Sequence, residues 1–155
     1  MNGNKILVFD MDGTIVDLYG VENWLEMLRA YDPTPYIVAQ PKCDMEVLRS
    51  LLEVLKLNGW KIVVTSWLSK ETIPMYDEMV RVSKKYWLDA YGFPYDELHF
   101  VKYGTTKADC TRSHGGYQII VDDNEKVRKG WHLGDTIDAN ENILVALIDL
   151  IMAEF

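Results

Sequence analysis

Cysteine and histidine are scarce in this chain. Its 155 residues include two cysteines, Cys43 and Cys110, and three histidines, His99, His114 and His132. The cysteines share no close spacing, so they read as small buried hydrophobes and free thiols, in keeping with a reducing compartment. The histidines lack metal-ligand spacing and read as surface or loop residues. Basic residues are also in deficit, with 16 Lys and Arg against 24 Asp and Glu for a net charge of −8. That balance counts against bulk binding to a nucleic-acid backbone, which needs a basic surface. It does not exclude a small anionic substrate, which meets a local site rather than the total charge. No apolar run is long enough to span a membrane and the N-terminus lacks a signal-peptide pattern, so a cytoplasmic location is expected. No repeat, low-complexity segment or linker divides the chain. With 48% hydrophobic and 26% charged residues, residues 1–155 suit one globular domain with a substantial core. Nothing in the pattern specifies an oligomeric state.

What is present is an alternation of apolar runs and helical stripes. Ile6, Leu7, Val8 and Phe9 form a continuous apolar run, the pattern of a strand buried on both faces of a parallel sheet. The run stops at Asp10, Met11, Asp12 and Gly13. Two carboxylates two residues apart at a strand end can both aim into one cleft, and a glycine directly after lets the backbone turn close to a ligand. Further strands are expected over Trp60–Thr65, Leu98–Val101 and Tyr117–Val121, with a last short one at Thr136–Asp138. Helical stripes fall at Val21, Trp24, Leu25 and Leu28, then at Met45, Leu48, Leu51, Leu52 and Leu55. Others fall at Met75, Met79, Val82 and Tyr86, and at Ile143, Leu144, Leu147, Ile148 and Ile151. A short helix through Val127 closes at Gly130. Asp44 is the expected N-cap of the second helix and Asn140 that of the last, and Asn58-Gly59 ends the second. A loop is expected through Tyr36 and Pro41. The alternation implies an α/β fold: an open three-layer Rossmann-like sheet, mostly parallel, with helices on both faces. Residues 18–43, after the first strand, are too few for a second core and make a small lid.

In such sheets ligands bind beyond the carboxyl ends of the strands. The first strand delivers Asp10 and Asp12 there, the second Thr65 and Ser66, and the fourth Asp122 and Asp123, with Lys107 in the polar stretch leading to it. Two like charges about 4 Å apart repel by roughly 4 kcal/mol at an effective dielectric near 20. Asp10, Asp12 and Asp122 together therefore call for a cation or a retained proton. An all-oxygen set without His or Cys suits a hard ion, Mg²⁺ before Zn²⁺.

The run Asp10-Met-Asp-Gly-Thr-Ile-Val-Asp17 resembles the first signature of the haloacid-dehalogenase-like hydrolases, most of which are phosphatases. Thr65 after Ile62-Val-Val64 resembles the second signature, Lys107 the third (with Lys102 as runner-up), and Asp122-Asp123 after Ile119-Ile-Val121 the fourth. The resemblance implies that Asp10 is the nucleophile and Asp12 the acid/base. It implies Mg²⁺ on the Asp10 side chain, the Asp12 carbonyl and the Asp122 side chain, with Asp123 holding a metal-bound water. Thr65 and Lys107 would fix phosphoryl oxygens, with Gly13, Ser66 and Trp67 also around the substrate.

Thr65-Ser-Trp67, Lys85-Tyr-Trp-Leu88 and Asp122-Asp123 are together similar to the deoxyribonucleotidase branch, although the lid here is shorter. A (deoxy)nucleoside monophosphate is the expected substrate. Tyr31, Tyr36 and Trp67 are candidates to stack on a base. Trp24 sits on an apolar stripe and reads as core, and Trp60, Trp87 and Trp131 as packing. Polynucleotide-end and sugar-phosphate phosphatases are the other enzyme readings. A receiver-like phospho-accepting signalling domain also combines acids, a hydroxyl and a lysine on such a sheet. There, however, the acidic pair comes first and the lysine last, the reverse of the order here. A degenerate binding protein fits poorly with a complete acid, hydroxyl and lysine set.

Overall fold

The computed structural model describes residues 3–154. In chain order it contains β1 (Lys5–Phe9), β2 (Val16–Asp17), α1 (Trp24–Arg29), α2 (Thr34–Val38), β3 (Gln40–Pro41), α3 (Met45–Leu57), β4 (Trp60–Trp67), α4 (Pro74–Ala90), β5 (Glu97–Val101), β6 (Tyr117–Asp122), α5 (Glu125–Lys129), β7 (Thr136–Asp138) and α6 (Ile143–Ala153). Five strands form an open sheet in the order β5-β4-β1-β6-β7, every pair parallel. Phe9 pairs with both Val64 and Val121, so the residues that follow, Asp10, Thr65 and Asp122, stand level at one rim.

Side-chain alternation sends Leu7, Phe9, Ile62, Val64, Ile119 and Val121 to one face. They meet Leu48, Leu52 and Leu55 of α3, Trp87 and Leu88 of α4 and Leu147 of α6 in the main core. Ile6, Val8, Val63 and Ile120 point the other way, into a smaller cluster closed by Ala108 and Trp131. Burial of both faces is why β1, β4 and β6 read as unbroken apolar runs. The second face is covered by α5 and by two single 3-10 turns, Lys107–Cys110 and Arg112–His114. From beneath, Gln118 Nε2 donates to the carbonyls of Thr111 (2.9 Å) and Gly115 (3.1 Å) and so pins that irregular stretch.

The expected start and end of α3 are observed. The Asp44 carboxylate accepts from the Glu46 and Val47 amides at 3.0 and 3.1 Å. After Asn58, Gly59 turns the chain with φ +94°, a conformation that costs glycine little.

Four local expectations are corrected. The stripe Met75, Met79, Val82 and Tyr86 faces solvent, with Met75 74% exposed; the inward set is Tyr76, Val80, Ser83, Lys84, Trp87 and Leu88. Both sets satisfy helical spacing, one residue and about 100° apart, and the set that buries Tyr76 and Trp87 removes more apolar area from water. The segment expected as loop around Tyr36 contains α2, because Pro35 in its first turn suits a helix start. Trp24 is half-buried rather than core: α1 has no fully buried residue, and Trp24 packs edge-on against Tyr19 with ring centroids 5.0 Å apart. The cap of α6 is Asn142, whose side chain accepts from the Val145 amide at 3.2 Å, not Asn140.

β2 and β3 form a two-residue antiparallel ribbon, Val16 opposite Pro41 and Asp17 opposite Gln40. Between its strands lie α1, α2 and a 3-10 turn at Leu18–Gly20. Leu18 and Tyr36 from this segment pack with Leu68, Tyr76 and Val80 in a third cluster over the rim.

Candidate active site

Asp10 follows the last residue of β1 and is 7% exposed. Lys107, from a 3-10 turn on the second face, is 4% exposed, and its Nζ donates to Asp10 Oδ1 at 2.7 Å and to Asp122 Oδ2 at 2.8 Å. The other Asp10 oxygen accepts from the Thr14 hydroxyl at 2.9 Å, and the other Asp122 oxygen from the Asn124 amide at 2.9 Å. Thr14 Oγ1 also accepts from the Asp123 amide at 3.2 Å, tying the two acidic loops together. Lys102 is exposed, so of the two candidate lysines Lys107 reaches the acids.

Oxygens of Asp10, Asp122 and Asp123 all lie within 4.8 Å of one another. Burial first, then the charge of Asp10, push the Asp123 carboxyl up to about 7. Burial also raises Asp122, and Asp10 adds to it against the pull of Lys107. Burial would lower Lys107, but the charges of Asp10 and Asp122 win and raise it. Four carboxylates (Asp10, Asp12, Asp122 and Asp123) face two buried lysines here, Lys84 and Lys107. The excess of carboxyl groups over cations and the all-oxygen donor set suit one hard divalent cation.

Gly13 has φ +83°, and a Cβ there would stand 2.3 Å from Asp123 Oδ2 and 2.9 Å from the Tyr19 ring. The absence of a side chain is what lets Asp123 close on Asp10. The Gly13 amide is already engaged, donating to the Val16 carbonyl at 2.8 Å.

The second-strand residues divide. Trp67 lies on the cleft wall, its Nε1 donating to the Thr105 carbonyl at 2.8 Å and its ring 5.0 Å from Lys107 Nζ. Thr65 and Ser66 lie beneath that wall, 0% and 1% exposed. Thr65 Oγ1 is buried without a nitrogen or oxygen partner among the described residues; the Cys110 thiol sits beside it.

Residues missed by sequence reasoning complete the site. Lys84, on the misjudged face of α4, donates from Nζ to Asp12 Oδ2 at 2.9 Å, Ser66 Oγ at 2.7 Å and the Trp67 carbonyl at 2.8 Å. Even with this partner, burial raises the Asp12 carboxyl above its ordinary value. Asn140 Nδ2 donates to the Asp123 carbonyl at 2.8 Å, and Arg128 Nη1 to the Asp122 carbonyl at 3.0 Å. The available signals were Thr14 and Asn124, adjacent to the acidic motifs, and a lysine interrupting the Tyr76, Val80 and Trp87 stripe.

Above the acids opens a cavity of about 660 Å³. Its outer wall comes from residues 18–36 and 67–72 and from Tyr103, and is rich in rings, among them Tyr19, Trp24, Tyr31, Trp67 and Tyr103. Tyr36 also lines it but is only 3% exposed, its hydroxyl bonded to Ser69 at 2.6 Å. Arg29 and Lys70 stand on this wall.

No family model and no curated protein matches the sequence. Solved structures share the fold, three of them at 11–18% identity. A chain of the Pnkp1/Rnl/Hen1 RNA repair complex is 18% identical, with a TM-score of 0.59 over 87% of this chain. The present chain spans 42% of the length of that one. The D,D-heptose 1,7-bisphosphate phosphatase of B. bronchiseptica, crystallised with magnesium and phosphate, is 11% identical with a TM-score of 0.53, covering 96% of this chain and 99% of its own. The corresponding enzyme of Burkholderia thailandensis is 12% identical with a TM-score of 0.54 and the same coverage. At these identities the likeness establishes architecture: the chain has the open α/β Rossmann-like fold found in these two phosphatases and in the RNA-repair protein.

Proposed function

We propose that the chain is a magnesium-dependent phosphomonoester hydrolase of the haloacid-dehalogenase-like type, working through an aspartyl-phosphate on Asp10. The observation that carries this reading is the contact of one buried lysine, Lys107, with both Asp10 and Asp122 at the floor of a cavity. The fold shared with the two heptose bisphosphate phosphatases supports it. The site would hold Mg²⁺ through the Asp10 and Asp122 side chains and the Asp12 carbonyl, with Asp123 on a bound water. Bound there, the ion supplies charge neutralisation on the transferring oxygens.

The chain's own residues account for the rest. An Asp10 oxygen forms a bond to phosphorus while the phosphorus–leaving-oxygen bond breaks, its electron pair staying on the leaving oxygen. Asp12, whose carboxyl burial raises above its ordinary value, gives its proton to that oxygen. Asp12 then takes a proton from water as the water attacks phosphorus, and the Asp10–phosphorus bond breaks to restore the carboxylate. Lys107 fixes Asp10 against rotation and offsets charge on a phosphoryl oxygen. Thr65 Oγ1, buried at the end of β4 without a nitrogen or oxygen partner, is the hydroxyl this reading gives to such an oxygen. Asp12 two residues after the nucleophile favours hydrolysis over a receiver-like domain that keeps its phosphoryl group.

The substrate we propose is a small phosphorylated metabolite, a (deoxy)nucleoside monophosphate before a sugar phosphate. The ring-rich outer wall carries that preference, since an aromatic surface suits a base better than a polyhydroxylated sugar. A polynucleotide end is the second reading, favoured by the likeness to the RNA-repair chain and opposed by the net charge of −8. The single domain with residues 18–43 as a minimal lid, and a cytoplasmic location, belong to the same proposal. Purified protein should release phosphate from monoesters only with Mg²⁺, and Asp10→Asn should abolish the release. Activity surviving in Asp10→Asn rules out the covalent route. Faster turnover of sugar phosphates or of 3′- or 5′-phosphorylated oligonucleotides overturns the substrate order.

A further inference from the structure

We infer that Arg29 and Lys70, on the outer wall of the cavity, bind a second phosphoryl group of the substrate. The preferred substrate is then a nucleoside bisphosphate, of which only the phosphoryl group at Asp10 is removed. The inference rests on the phosphatase reading above and narrows its substrate. Both side chains line the cavity and are exposed. Neither joins an ion pair among the described residues. Lys107, the cation at the floor, is by contrast held by two carboxylates. Glu71 is the one acid on the outer wall; the other acids lining the cavity are Asp10, Asp12, Asp122 and Asp123 at its floor. The cavity is thus acidic where a metal ion would sit and carries unengaged positive charge at its mouth.

Rings set the spacing between the two ends. The Trp67 ring lies 5.0 Å from Lys107 Nζ, and the Tyr103 ring packs on Trp67 with centroids 5.1 Å apart. Lys70 Nζ then lies 5.9 Å from the Tyr103 ring. Two rings in contact therefore separate a cation at the floor from a cation at the mouth. A phosphoryl group at Asp10 meets the first cation, the nucleoside it belongs to lies along the rings, and a phosphoryl group on the far side of the sugar meets the second. Arg29 ends α1 in the lid segment, and its planar guanidinium presents the paired N–H groups that take two phosphoryl oxygens at once.

The backbone next to these cations is held against local preference. Among the described residues the non-glycine positions with left-handed backbone are Asn23 (φ 60°), Tyr31 (φ 57°) and Glu71 (φ 51°), all within the segments that make the outer wall. Asparagine tolerates that conformation, whereas a tyrosine or a glutamate adopts it at a cost. Tyr31 stands two residues after Arg29, and Glu71 directly follows Lys70. Such strain persists where the surrounding structure fixes it, and it gathers at ligand-binding segments.

The test compares a deoxynucleoside 5′-monophosphate with the matching 3′,5′-bisphosphate. The wild type should favour the bisphosphate in kcat/KM by about 10-fold or more, the scale of charge-assisted hydrogen bonds to one phosphoryl group. Arg29→Gln and Lys70→Gln should each cut that ratio by about 3-fold, and the double variant should bring it to about 1. Lys42→Gln removes the same charge from an exposed lysine outside the cavity and should keep the wild-type ratio. A wild-type ratio near 1, an unchanged ratio in the double variant, or an equal fall in Lys42→Gln overturns the inference. A 5′-phosphorylated dinucleotide turned over faster than the bisphosphate assigns the wall to a phosphodiester and overturns the choice of a bisphosphate. Calorimetry on Asp10→Asn with Mg²⁺ reads binding without turnover, and there the bisphosphate should bind about 10-fold tighter than the monophosphate. That difference in a protein whose wild type releases no phosphate defeats the phosphatase reading alone. Equal binding of the two nucleotides, with turnover of both by the wild type, defeats this inference alone.

Discussion

Lys107 donates to Asp10 at 2.7 Å across 97 residues of chain, and both side chains are almost wholly buried. The contact exists only when the sheet is assembled, so it couples the site to folding. Lys107→Met should therefore abolish phosphate release. It should also destabilise the protein by about 3–5 kcal/mol, since Asp10 and Asp122 would be left buried without their cation. Adding Asp122→Asn should restore part of the stability and none of the activity. Denaturant titration and a phosphate-release assay separate the two effects.

Metal binding should be visible without turnover. Magnesium at about 100 times its dissociation constant should add about 2.7 kcal/mol to stability, read as a rise in melting temperature that a chelator reverses. Asp122→Asn should remove most of that rise. A full rise in Asp122→Asn would place the ion elsewhere.

Gly13→Ala puts a Cβ 2.3 Å from Asp123 Oδ2, on a backbone with φ +83°. The substitution should cost about 2 kcal/mol or more and weaken the magnesium-dependent rise, because Asp123 must retreat. Gly104, also at positive φ but with nothing within 4 Å, provides the control: Gly104→Ala should show the backbone cost alone and keep the magnesium response.

Glu97 predicts an acid limit to stability. Although partial burial opposes it, hydrogen bonds from Lys61, His99 and His114 hold this carboxylate down to about 2, from an ordinary 4.5. A depressed folded-state value stabilises fully above the unfolded value and is lost as pH falls toward the folded one. Unfolding free energy should thus drop between about pH 4.5 and 2, and Glu97→Gln should flatten that part of the curve. At neutral pH the variant should lose about 1 kcal/mol, the scale of a half-exposed ion pair. An unchanged acid limb in Glu97→Gln would assign the acid loss to other carboxylates.

The legible parts of this chain were those where one physical demand dominates. β1, β4 and β6 are buried on both faces and stop at polar residues, so their apolar runs foretold the sheet and the rim where Asp10, Thr65 and Asp122 stand level. α3 carries a single apolar stripe with a cap at each end, and its burial followed the spacing. α4 carries two stripes, and periodicity alone does not choose between them. Lys84 escaped notice for the same reason, since a lysine is by default a surface residue. Three partners from two distant segments make it otherwise, and no local pattern encodes them. His99 and His114 lie fifteen residues apart and converge on Glu97 only through the fold. Asn140 and Asn142 offer the same capping chemistry two positions apart; the Asn140 side-chain amide donates to Asp123 and Asp138, while Asn142 caps the helix.

Lys107 sits on the least regular cover of the sheet, two single turns stitched down by Gln118 and, at Thr105, by Trp67. The catalytic charge balance is thus entrusted to a segment with few ladder bonds of its own. Its amides should exchange with deuterium long before those of β1, and anything that slackens the stitching should detune the nucleophile while the helices stay intact.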